Sequence, residues 1–137
     1  MKRSILMSVI IAVMFVNLGI NNRVNSQSWA WEQLATLTDP PNLPTMAAVN
    51  GKIYVVSGNV QSSSAPTWEY DPMTNTWTSK MPIPQGCYWA TAVGYGGKIY
   101  VMGGGNPYPG KTYNFIYDPL TDSWDTGAYL LTGRMYH

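Results

Sequence analysis

The chain is poor in the residues that carry most protein chemistry. Its 137 residues include one cysteine (Cys87) and one histidine (His137), and only 11% are charged. A single cysteine excludes an internal disulfide and leaves Cys87 either buried or a lone thiol. Beside Tyr88-Trp89-Ala90 in an expected inner strand, burial is the expected state. One histidine at the last position and one cysteine supply too few ligands for a His/Cys metal centre, so no metal and no cofactor is expected. A hydrolytic triad would need an ordered histidine, so no catalytic residue and no enzymatic activity is expected. No Asn-x-Ser/Thr acceptor for N-glycosylation occurs. Apolar residues nevertheless reach 45%, which excludes a disordered chain.

The one long apolar run lies at the N-terminus. Lys2 and Arg3 precede the 16-residue stretch Ile5 to Ile20, which only Ser8, Asn17 and Gly19 interrupt, and Val24-Asn25-Ser26 follows. This is the layout of a secretory signal peptide over residues 1–26, cleaved between Ser26 and Gln27. A spanning helix wants about 20 apolar residues, so contact with a membrane is expected only if that segment stays uncleaved. The expected destination is secreted or periplasmic. Without Lys2, Arg3 and Arg23, five cationic residues stand against seven carboxylates and no basic cluster remains. Nucleic acid is therefore not an expected partner.

After residue 40 the chain is rich in turn formers and aromatics: Gly 13, Pro 10, Tyr 10 and Trp 6 in the whole sequence. That composition points to an all-β fold. Two blocks then repeat in order. Gly51-Lys52-Ile53-Tyr54-Val55-Val56-Ser57-Gly58 returns 46 residues later as Gly97-Lys98-Ile99-Tyr100-Val101-Met102-Gly103-Gly104. Tyr70-Asp71-Pro72-Met73-Thr74-Asn75-Thr76-Trp77 returns 47 residues later as Tyr117-Asp118-Pro119-Leu120-Thr121-Asp122-Ser123-Trp124. A period of this length is one supersecondary unit that buries its faces by stacking on neighbours.

Each copy divides into four strands. In the first these are Thr45–Val49, Lys52–Ser57, Thr67–Tyr70 and Thr76–Ser79, with Asn50-Gly51 as the hairpin turn. In the second they are Tyr88–Tyr95, Lys98–Met102, Thr112–Tyr117 and one from Ser123, with Gly96-Gly97 as the turn. Asp71-Pro72 and Asp118-Pro119 open turns in which the carboxylate bonds back to the backbone. Four antiparallel strands per repeat make a β-propeller blade. The expected blades are residues 45–80 and 85–126. Trp31-Glu32-Gln33-Leu34 matches the fourth strand as a lone closing strand (31–34), and residues 134–137 open a third copy.

The Gly-Lys-Ile-Tyr-Val-Met-Gly-Gly and Tyr-Asp-Pro-x-Thr-x-Ser-Trp blocks resemble the Kelch repeat. The resemblance covers residues 31–137. It implies that Gly51, Tyr54, Gly58, Tyr70, Asp71, Trp77, Gly97, Tyr100, Gly103, Gly104, Tyr117, Asp118 and Trp124 are scaffold positions. It implies a module for binding protein or carbohydrate through its blade-edge loops, residues 59–66 and 105–111. Tyr108 is the ligand-contact candidate, since a loop aromatic can stack on a sugar or a partner, or simply anchor its loop. Alternatives are a fragment of a secreted sugar-modifying enzyme of epimerase, mutarotase or oxidase type, a remnant without function, or a homo-oligomer if the chain is complete. The oxidase variety couples a Cys–Tyr crosslink to histidine ligands. Here Tyr88 follows Cys87 directly, so the two side chains should face apart, and the histidines are lacking. The family's Arg at the start of the first strand is matched by Arg134, while Thr45 stands there in the first copy. Glu69 has no partner evident in the sequence.

Overall fold

The computed structural model describes residues 31–56, 64–105 and 109–135. The expected signal peptide, Ser57, Gly58, Tyr108, Tyr136 and His137 lie outside the described residues. Residues up to Thr36 belong to a separate N-terminal unit; Leu37 onwards forms the other. In the first, residues 31–36 carry no regular structure and Trp31 is 80% exposed. Residues 31–34, the expected closing strand, are not in a strand here.

The second unit holds eight strands and, among the described residues, no helix. The first sheet has the order β1 (Thr45–Val49), β2 (Lys52–Val56), β3 (Ala65–Asp71), β4 (Thr76–Ile83). The second repeats it with β5 (Tyr88–Tyr95), β6 (Lys98–Gly105), β7 (Asn114–Asp118) and β8 (Ser123–Thr126). All pairings are antiparallel between consecutive strands. The β1–β2 hairpin closes over two residues, Asn50 (φ 53°) and Gly51 (φ 74°), and β5–β6 over Gly96 (φ 58°) and Gly97 (φ 78°). Positive φ at both positions matches the twist of the flanking strands, which is why glycine and asparagine stand there.

Three strands run past their sequence limits: β6 continues from Met102 to Gly105, and β3 and β4 lengthen together. β4 continues to Ile83 through Pro82, and β3 begins at Ala65, before Pro66. The register between them shifts at Ala65/Thr67. Proline donates nothing to a ladder, so an irregular stretch ending on an edge strand tolerates both. β7 begins at Asn114 instead of Thr112, because the Thr112 carbonyl accepts the Leu130 N–H at 2.8 Å.

The core lies between the two sheets. Ala47, Tyr54 and Val56 from the first meet Ile99, Val101, Phe115 and Tyr117 from the second, joined by Ala65, Ile83 and Cys87. The rings of Tyr54 and Tyr117 sit 5.7 Å apart across the junction. The innermost strands approach so closely that a Cβ on Gly94 of β5 would stand 2.2 Å from the Ala48 carbonyl oxygen of β1. Register places Ile99, Val101, Phe115 and Tyr117 on the face of the second sheet that meets the first. Tyr100, Met102, Asn114 and Ile116 lie on its other face.

Candidate functional site

The duplicated positions resolve into two kinds of local structure. At one end of the strands, Asp71 accepts the Met73 N–H at 2.8 Å and Asp118 accepts the Leu120 N–H at 2.9 Å. These bonds hold the Asp71 carboxyl below the usual carboxylate range. Asp118 is also lowered, first by Lys98 at 2.9 Å and then by Leu120. Tyr70 stacks on Trp77 and Tyr117 on Trp124, each with ring centroids 5.0 Å apart. The Tyr70 hydroxyl donates to Asn75 at 2.8 Å and that of Tyr117 to Asp122 at 2.5 Å. Each turn satisfies its own polar groups, so these residues build the fold.

Tyr54 and Tyr100 are sequence equivalents with different surroundings. Tyr54 is 1% exposed and faces the second sheet, whereas Tyr100 is half-buried on the outer face of that sheet. Tyr54 donates its hydroxyl to Glu69 at 2.6 Å. Glu69, on the neighbouring strand, also pairs with Lys52 at 2.7 Å and Lys80 at 3.4 Å. Burial pushes the Glu69 carboxyl up; the bonds from Lys52 and Tyr54 and the nearby lysine charges more than reverse this, holding it below its ordinary value. Burial, then the bond to Glu69, raises the Tyr54 phenol. Glu69 therefore has three partners where the sequence offered none. They stand on β2 and β4, and only the strand register brings them together.

A second set of contacts joins the outer strands. Asp122 (φ 48°) accepts the Met81 N–H at 2.9 Å, and the Trp124 indole donates to the Met81 carbonyl at 2.8 Å. Blade two thus grips the β4 backbone of blade one through residues of its β7–β8 turn and of β8.

The opposite end of the strands is irregular. Tyr88 pairs with Gly105 and Ala90 with Gly103, while Trp89 and Gly104 are skipped. Trp89 has φ 54°, a left-handed conformation that is strained for a bulky side chain. Gly103 (φ 68°) and Gly104 (φ 83°) face this kink. A Cβ on Gly104 would meet the Tyr88 oxygen at 2.7 Å and the Cys87 Cβ at 2.8 Å, so only glycine fits. Gly104 gives its N–H to the Arg134 carbonyl at 2.8 Å and accepts the Lys111 N–H at 2.6 Å. Arg134, at the expected start of the third copy, is bridged to Lys111.

Successive strand residues ordinarily point to opposite faces. The kink at Trp89 overrides this: the Tyr88 and Trp89 rings pack against each other in a tilted pair, centroids 5.3 Å apart and planes inclined by 34°. Both are half-buried. Cys87 beside them is 3% exposed, and burial pushes its thiol up to about 11. Of the remaining sequence candidates, Gly58 and Tyr108 fall outside the described residues. No group of three or more His, Cys, Asp or Glu side chains able to hold a metal occurs among the described residues.

The Kelch motif family matches residues 40–83 and 87–131, which is one match for each four-stranded sheet. The chain is a Kelch-repeat protein. Its Kelch relatives differ widely in what accompanies the repeat. N-acetylneuraminate epimerase of Haemophilus influenzae (strain PittEE) is 33% identical over 85 residues, 56% of this chain and 22% of that protein. A putative F-box/kelch-repeat protein of Arabidopsis thaliana is 33% identical over 99 residues, covering 70% and 27%. Kelch repeat and BTB domain-containing protein 12 of Danio rerio is 32% identical over 92 residues, covering 60% and 15%. The chain thus spans about a quarter or less of these relatives. The solved structure of YjhT superposes with a TM-score of 0.59 at 23% identity, over 74% of this chain and 32% of that one. At that identity the likeness speaks for the fold alone.

Proposed function

We propose that this chain is an exported Kelch binding module, not an enzyme, and that it takes a protein or carbohydrate at the loop end of its blades. One observation carries the reading: the carboxylates of the blades are engaged within the scaffold. Glu69 is held by Lys52, Tyr54 and Lys80, and Asp122 by Tyr117 and Met81. Asp71 and Asp118 cap their turns, and Asp125 accepts the Thr126 N–H at 2.7 Å. Groups so used are poor general acids or bases, and what remains for a partner is loop surface and aromatic rings. Kelch-repeat relatives joined to F-box or BTB segments favour a protein partner; the epimerase relative favours a sugar.

The two blades belong to a larger ring in this proposal. Tyr54, Val56, Thr67 and Glu69 are buried where blade one meets blade two. Their counterparts Tyr100, Met102, Asn114 and Ile116 are only half-buried, as a face that receives another blade would be. Reading the coding sequence past the codon for His137 tests this. Further Kelch copies are expected; an in-frame stop there overturns it. Export is tested by fractionating cells that express the full chain: the expected product lies outside the cytoplasm and begins at Gln27. A second reading, two blades of a sugar-modifying enzyme, draws on the epimerase relative, and turnover of N-acetylneuraminate by the completed protein would establish it.

A further inference from the structure

The face of the first sheet that meets blade two has a counterpart on the second sheet, and the two differ in what surrounds one tyrosine. Cross-strand from Tyr54 is Glu69, which accepts its hydroxyl at 2.6 Å. Cross-strand from the equivalent Tyr100 is Ile116, which offers no acceptor. The carboxylate next in that row, Asp125 on β8, is exposed and takes the Thr126 N–H on Oδ1. Tyr54 and its neighbour Ala47 are 1% and 8% exposed against blade two. Tyr100 is only half-buried, and its neighbour Val93 is 45% exposed. A blade laid on the second sheet would bury the Tyr100 hydroxyl as well, and a buried hydroxyl left without a partner is costly.

The existing junction shows which group of an incoming blade faces that position. The Tyr117 ring of blade two packs on the Tyr54 ring at 5.7 Å, and the Tyr117 hydroxyl donates to Asp122. Asp122 takes this bond and that from Met81 on the same oxygen, Oδ1, so its second oxygen can serve another donor. Its charge reaches across the junction: burial first, then Glu69 and, more weakly, Asp122 raise the Tyr54 phenol. Blade one carries Asn75 at the same place, and Asn75 accepts from Tyr70 on its one oxygen. The other atom of that amide is a nitrogen, which donates and cannot accept. We propose that the outer face of the second sheet docks a Kelch blade with aspartate, not asparagine, at the place of Asp122, and that this carboxylate accepts the Tyr100 hydroxyl. This rests on the larger-ring reading and names the chemistry of the blade that follows. Val93, Tyr95, Met102 and Ile116 share the face and supply the apolar surface on which it packs.

The test compares urea unfolding of the 137-residue chain with that of the protein extended through its next coding copy. Tyr100→Phe should leave the midpoint of the 137-residue chain unchanged and lower that of the extended protein. Replacing the incoming aspartate by asparagine should lower the extended protein's midpoint too. The two changes combined should lower it no further than either alone, because both remove the same bond. An equal shift from Tyr100→Phe in both proteins, or a shift in neither, overturns the assignment and leaves the larger ring standing. So does a next copy with no carboxylate at that place, or a double variant whose shift is the sum of the single ones. An in-frame stop after His137 overturns the ring and the assignment together.

Discussion

Single residues show how one sequence position acquires different work in different blades. Tyr54 and Tyr100 occupy the same place in the repeat, yet only Tyr54 has a carboxylate opposite it, because the cross-strand partner of Tyr54 is Glu69 and that of Tyr100 is Ile116. The Tyr54 hydroxyl is therefore a stability determinant. Tyr54→Phe leaves a buried carboxylate one donor short and should cost about 1.5–3 kcal/mol in urea unfolding, the range for a hydrogen bond to a charged group. Tyr100→Phe in the same assay should be close to neutral. The sequence showed Glu69 without a partner for a simple reason. Lys52 and Lys80 lie 17 residues before it and 11 after it, and the three meet only through the β2–β3–β4 ladder.

At the scale of the strands, the turn between β7 and β8 does more than reverse the chain. Asp122 takes a hydrogen bond from Tyr117 in its own blade and another from the Met81 backbone of the preceding one. Asn75 holds the equivalent place in blade one with φ 53° and accepts from Tyr70. Either residue tolerates the left-handed backbone and offers an oxygen. Asp122→Asn keeps an acceptor oxygen but loses the charge that the folded state favours, so it should cost on the order of 1 kcal/mol, less than truncation. Asp122→Ala removes the oxygen that accepts both bonds and should lower the unfolding free energy by about 1–3 kcal/mol. Equal effects of the two substitutions would contradict this account. Strand positions, hairpin turns and Asp-Pro turns were legible in the repeat because they depend on local residue types. The extension of β4 through Pro82 was not. A proline reads as a stop, and only its edge position beside the register shift makes it acceptable. The kink at Trp89 was hidden for the same reason: Tyr88 to Tyr95 reads as an unbroken strand, and the glycines that permit the kink lie on its partner.

For the whole molecule, lowered carboxylates carry the pH response, two at the blade junction (Glu69, Asp122) and two in the turns (Asp71, Asp118). Glu69 and Asp122 are both held below their ordinary values in the folded state. Their contribution is present above the carboxylate pKa of the unfolded chain, about 4, and disappears as pH falls through the lower folded values. The urea midpoint should stay level from neutral pH down to about 4 and then decline. In Glu69→Gln the acid-side decline should be shallower, and an unchanged profile would remove Glu69 from the explanation.

The sequence by itself determined the repeat, the all-β class and the division into two four-stranded units. Periodic glycines, aromatics and Asp-Pro turns specify local backbone wherever they occur. The tertiary structure alone decided which duplicated residues are buried, which partners Glu69 and Asp122 find, and that Tyr88 and Trp89 share one side of a strand. Each of these depends on a second sheet or a neighbouring strand pressing against the first. Such contacts join residues distant in sequence, and no local pattern records them.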